Sequence, residues 1–168
     1  MKTLNDTLKE LDAYQDGYDF AKDLTIEQFL ETCPRGDWIL WLFVRLNPTK
    51  VREVTLAAGH CANTIRHLMK DEHCTKAIDA AIAFGEGKIT HKELDDAAAT
   101  ANAYAAAAAA AAADAHVYTN AAYVAAAAAA DAYAYASGAY VAAAKKQNQL
   151  QTADICRKYL PIELWGVL

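Results

Sequence analysis

Between residues 95 and 144 the chain carries no lysine and no arginine, only four acidic groups. Elsewhere the basic residues are scattered: residues 1–37 hold 4 basic and 9 acidic groups, 38–94 hold 8 and 6, and 145–168 hold 4 and 2. No block of clustered lysine and arginine exists to neutralise a phosphate backbone, which argues against a nucleic-acid partner. The four cysteines, Cys33, Cys61, Cys74 and Cys156, show no CxxC spacing. His60 and His67 share a helix face, with His73 and Cys74 following, but no HExxH or paired-cysteine motif is present, so no metal or cofactor is expected. A nucleophile elbow is missing, and Gly85-Glu-Gly87 follows a helix rather than a strand, which excludes a phosphate-cradling loop. Asp95 and Asp96 look less like a catalytic pair than like acids complementing the dipole of a first helical turn. An enzyme is therefore the least supported class. Threonine is too sparse for an ice-binding repeat, with only Thr100 and Thr119 in the alanine-rich stretch.

Long membrane-spanning runs are missing too. Asn102, Asp114, His116, Asn120 and Asp131 interrupt the alanine stretch, and charges inside a span are costly in hydrocarbon. The apolar run Trp38–Leu46 is nine residues long, far too short to cross a bilayer. The start, Met-Lys-Thr-Leu-Asn-Asp, has no apolar h-region. The expected setting is a reducing cytoplasm, with four free, buried thiols.

What is present is alanine: 27 of the 44 residues from 101 to 144. Alanine is the strongest helix former and loses almost no side-chain entropy on folding. Facing alanines let helix axes approach to the short end of the usual ~8–10 Å range. As one helix, residues 91–160 would span roughly 100 Å, against about 40 Å for a compact domain of this length. A reversal is therefore expected near residues 116–120, where Val117, Thr119 and Asn120 weaken the helix, with only a kink at Ser137-Gly138. Tyrosines supply the bulk that alanine lacks. On an ideal helix Tyr104, Tyr118, Tyr133 and Tyr140 fall within about 60° of one another, as a packing stripe or as a recognition ridge.

Periodicity predicts the remaining elements. Leu4, Leu8 and Leu11 mark a short helix over 3–14. Thr25 and Gln28 form a capping box for a helix ending near Cys33-Pro34. Arg35-Gly36-Asp37 reads as a turn, with Asp37 as N-cap of a helix buried nearly all round. Residues 50–70 carry Val54, Ala58, Cys61, Ile65 and Leu68 on one stripe. Thr75–Phe84 point Ile78, Ala81 and Ile82 inward, and Gly85 and Gly87 stop them. Thr90 and Glu93 form a second capping box, and Lys145–Leu160 regains amphipathicity before Pro161.

Several phrases carry a resemblance: Cys33-Pro-Arg-Gly-Asp-Trp-Ile-Leu-Trp-Leu42, Ile65-Arg-His-Leu-Met-Lys-Asp71, Ala77 through Leu94, the alanine tract, and Gln151-Thr-Ala-Asp-Ile-Cys-Arg-Lys-Tyr-Leu160. Together they span about residues 25–160, and in combination the chain resembles the alanine-rich immunity-protein-like family of bacteria and their phages. Its tract carries tyrosine where many members carry tryptophan. The resemblance implies an all-helical, non-enzymatic protein that binds and neutralises a toxin or defence effector. It brings no catalytic residues.

The sequence thus predicts a single all-α domain over 1–168: an apolar helical core region (1–89), alanine-rich helices (90–160) folded as a hairpin on that core, and a C-terminal tail (161–168). The expected function is stoichiometric protein binding. The alternative is a structural protein whose alanine faces drive homo-oligomerisation. Candidate partner-binding residues are Arg35, Asp37, Trp38, Tyr118, Tyr133 and Tyr140. The partner is a protein, with self-association as the other option, and neither nucleic acid nor membrane is expected.

Overall fold

The computed structural model describes residues 3–69, 72–109 and 138–166, with side-chain detail to Ala101 and again from Lys146 onward. The protein is all-α, and among the described residues there is no strand. The helices are α1 (Leu4–Glu10), α2 (Gln15–Ala21), α3 (Ile26–Thr32), α4 (Gly36–Leu46), α5 (Val51–Asn63), α6 (Glu72–Gly85), α7 (His91–Ala109) and α8 (Gly138–Tyr159). Two single 3-10 turns, Arg66–Leu68 and Ile162–Leu164, complete them. No helix among the described residues is long and apolar enough to cross a membrane.

Both expected capping boxes form. The Gln28 backbone N–H donates to Thr25 Oγ1, and the Thr25 N–H to Gln28 Oε1 at 2.9 Å. Glu93 Oε2 accepts from the Thr90 N–H at 2.8 Å, while the Glu93 N–H donates to Thr90 Oγ1. Each box satisfies two donors that a helix start leaves orphaned. A third, Thr3 with Asp6, opens α1.

Other expectations needed correction. The helix over 3–14 stops at Glu10, because Asp12 takes a left-handed φ of 52°. The Ala13 N–H then turns back to the Leu8 carbonyl at 3.0 Å, closing the helix as a C-terminal cap does. A separate helix, α2, follows. The long helix over 50–70 ends at Asn63, where the Thr64 hydroxyl donates to the Cys61 carbonyl. Leu68, expected inside, is 44% exposed on the 3-10 turn. Helix α4 is not buried all round: Ile39, Leu42 and Phe43 are, but Val44 is 43% exposed. Asp37 does not cap it; Arg35 occupies the N-cap position with no side-chain cap hydrogen bond.

One core joins the two ends of the chain. Leu4, Leu8, Phe29, Leu30, Ile39, Leu42 and Phe43 pack with Ala153, Cys156, Leu160 and Trp165. Helix α8 lies against α4 and α5, α5 against α6, and α6 against α7. Residues 161–166, which follow α8, contribute Leu164 and Trp165 to this core. The Trp165 ring sits edge-on to Phe43 at 5.1 Å, and its indole N–H donates to the Leu160 carbonyl at 2.9 Å. The start of the alanine-rich region packs as small residue on small residue, with Ala98 and Ala101 against Ala77. The reversal expected near 116–120 lies outside the described residues.

Candidate functional site

A cleft of about 320 Å³ opens between the α1–α2 connection and α4. Its floor is apolar, made by Leu8, Ala21, Phe29 and Leu42, all buried. Trp38 and Trp41 form the wall along α4, one helical turn apart. Phe20 lies 5.8 Å from Trp38, ring centre to ring centre, and supports it from behind. Gly17 of α2 lies beside this wall, where an added Cβ would make ordinary contact with the Trp38 ring at 3.8 Å.

The lip is polar. Arg35 donates two hydrogen bonds to Asp37, with Nε to Oδ1 at 3.0 Å and Nη2 to Oδ2. The same guanidinium lies 4.5 Å over the Trp38 ring. Hydrogen bonding to Asp37 favours the charged guanidinium and raises its pKa. With the two side chains 34% and 53% exposed, solvent screening leaves such a pair worth no more than about 1 kcal/mol. Its effect is positional: it fixes a flat cation over an indole at the mouth of the cleft. Across the opening stand Asp16 and Tyr14, and Tyr14 is 81% exposed, the most exposed large apolar side chain among the described residues.

Three of the expected site residues, Arg35, Asp37 and Trp38, therefore meet at one place. Tyr118 and Tyr133 lie outside the described residues. Tyr140 falls on α8, and its side chain is outside the described detail. Tyr14 and Asp16 escaped the sequence reading. Tyr14 is the N-cap of α2 and Asp16 lies in its first turn, and nothing in their spacing connects them to Trp38; only the packing of α1 and α2 on α4 does.

A shallower groove of about 350 Å³ runs between α3 and the C-terminal turn, lined by Leu30, Leu160 and Ile162 with Glu27, Glu31 and Glu163. Arg157 belongs to the scaffold there. Its Nε donates to the Leu30 carbonyl at 2.6 Å and its Nη2 to the Cys33 carbonyl, while Nη1 pairs with Asp154. It thus satisfies carbonyls at the end of α3 from a different helix.

The ionisable groups of the cleft are Tyr14, Asp16, Arg35 and Asp37, and Asp37 is engaged by Arg35. Of the thiols, Cys33, Cys61 and Cys156 are buried, but Cys74 is only half-buried, which corrects the expectation of four buried thiols. Comparison with protein-family models, with curated proteins and with solved structures finds no match for this chain.

Proposed function

We propose that the chain is a non-enzymatic binding protein that neutralises a toxin or defence effector by stoichiometric association, as the immunity-protein-like family it resembles is expected to do. The observation that supports this reading is the cleft: an apolar floor, two tryptophans as wall, and a charged lip beside an exposed tyrosine. Tryptophan, tyrosine and arginine are the residue types that anchor protein interfaces, and a recess walled by them receives an apolar side chain of a partner. A stable complex buries about 800 Å² on each side, so contact extends past the cleft. The neighbouring surface carries exposed Asp12, Asp16 and Asp19, within a segment of 9 acidic and 4 basic residues. A partner with a basic face fits it.

The test begins with a partner recovered from the native cell and purified. Calorimetric titration should give a 1:1 complex, weakened about 30-fold or more by Tyr14→Ala or Trp38→Ala, the effect of losing a hot-spot residue. Affinity should also fall with added salt. A 1:1 complex indifferent to both substitutions would remove the cleft from the reading. A large homo-oligomer of the isolated protein in light scattering, with no 1:1 partner, would favour self-assembly instead.

A further inference from the structure

We propose that Cys61 and Cys156 form a site of reversible covalent modification, an intramolecular disulfide that staples α5 to α8. The two residues are 95 positions apart, yet their sulfurs lie 3.7 Å from each other in the core. Their exposures are 5% and 0%. Contact between the sulfurs places the two side chains on facing sides of packed helices, and a disulfide needs the sulfurs to close to about 2 Å. The other hydrogen bonds of these thiols are weak ones to backbone: Cys61 to the Thr152 carbonyl at 3.6 Å, Cys156 to the Gly36 carbonyl at 3.5 Å. Cys33 is directed elsewhere, to the Arg35 carbonyl at 3.4 Å.

The reaction is an exchange with a small-molecule disulfide such as glutathione disulfide. One protein thiolate attacks the reagent and releases one reagent thiol, leaving a mixed disulfide. The second protein thiolate attacks the protein sulfur of that bond and releases the second reagent thiol. The cysteines are oxidised by two electrons, the reagent is reduced by two, and the two cysteine protons end on the released thiols. The hydrogen bond to Cys61, followed by burial, raises the Cys156 pKa and holds that thiol protonated, and both sulfurs are screened from solvent. Exchange therefore proceeds through local opening and is slow. Once closed, the bond encircles α6, α7 and the chain between α7 and α8. A ring of about 95 residues removes much freedom from the unfolded chain.

The experiment uses the full-length folded protein. It is incubated with glutathione disulfide, unfolded, alkylated and mapped by mass spectrometry without reduction. The expected product is a single internal cross-link between the peptides bearing Cys61 and Cys156, with Cys33 and Cys74 outside it. Tm should rise by about 10 °C and return to its starting value with dithiothreitol. Four thiols still free of any internal cross-link after prolonged exposure, or a bridge made to Cys33 or Cys74, would overturn the proposal. Cys61→Ala should abolish both cross-link and Tm shift. If that variant does not fold, the map of the wild-type protein decides alone.

Discussion

At the residue scale, side chains from distant parts of the chain finish what the helices leave undone. Arg157 closes the end of α3, and Arg52 does the same for α6, donating to the Phe84 carbonyl at 2.6 Å with its guanidinium over the Phe84 ring. Neither partner is within reach of local sequence logic, since both lie more than thirty residues away. His60 is the residue with a pH consequence. Its ring stacks on Tyr159 at 4.3 Å, nearly parallel, joining α5 to α8. Burial, then the charge of Lys158, lowers its pKa below the ordinary value, with Glu86 opposing weakly. The unfolded chain thus holds that proton more tightly than the folded one. The neutral ring's contribution is intact above about pH 6.5 and is lost as pH falls through that value toward the lower folded one. Urea midpoints at pH 7.5 and 5.5 should show a loss on acidification that is smaller in His60→Phe, which keeps a stacking ring but no titrating group. Equal losses in both proteins would acquit His60.

At the scale of elements, glycine sets how closely helices meet. Gly36 is the first residue of α4, and a Cβ there would fall 2.6 Å from the backbone carbon of Thr152 on α8. Gly85 similarly faces Leu56, and at Gly59 an added Cβ would come within 3.0 Å of Ile82. From sequence, Gly36 reads as a turn residue and Gly85 as a helix stop. Composition shows that a glycine is present, but only the neighbouring helix shows why. Gly36→Ala should cost about 1–3 kcal/mol, the range for overpacking, read as a lower urea midpoint with unchanged helicity. A neutral result would mean that α4 and α8 separate easily. Capping, by contrast, was legible: Thr25-x-x-Gln28 and Thr90-x-x-Glu93 are local motifs whose partners lie three residues away. The limits of α1 and α5 were not, because an aspartate and a threonine do not by themselves announce the left-handed φ of Asp12 or the hydrogen bond from the Thr64 hydroxyl to the Cys61 carbonyl.

For the whole molecule, the governing fact is that one core is built from both ends of the chain. Trp165 contacts Phe29 and Phe43 from beyond the last long helix. Trp165→Ala should therefore cost about 3–5 kcal/mol, the range for removing a large buried ring, and leave the Leu160 carbonyl without its indole donor. Thermal unfolding followed by circular dichroism measures it, and a loss under 1 kcal/mol would show the C-terminal segment to be dispensable. The cleft depends on the same assembly, because its floor comes from α1, α2, α3 and α4 together. Arg35, Asp37 and Trp38 were recognisable as a group because three consecutive turns of logic, a proline, a glycine and a helix start, fall within five residues. Tyr14 joins them only through the packing of α1 and α2.

Sequence alone determined the all-helical class, the capping boxes at Thr25 and Thr90 and most inward-facing stripes. These follow from propensity, 3.6-residue periodicity and hydrogen bonds spanning three or four positions, all of which are local. Tertiary structure decided the pairing of Cys61 with Cys156, the closing of α3 by Arg157, the need for glycine at position 36 and the rim of the cleft. Each of these is a distance between residues far apart along the chain, fixed only when helices choose their neighbours, and apolar burial, which drives that choice, has no direction of its own.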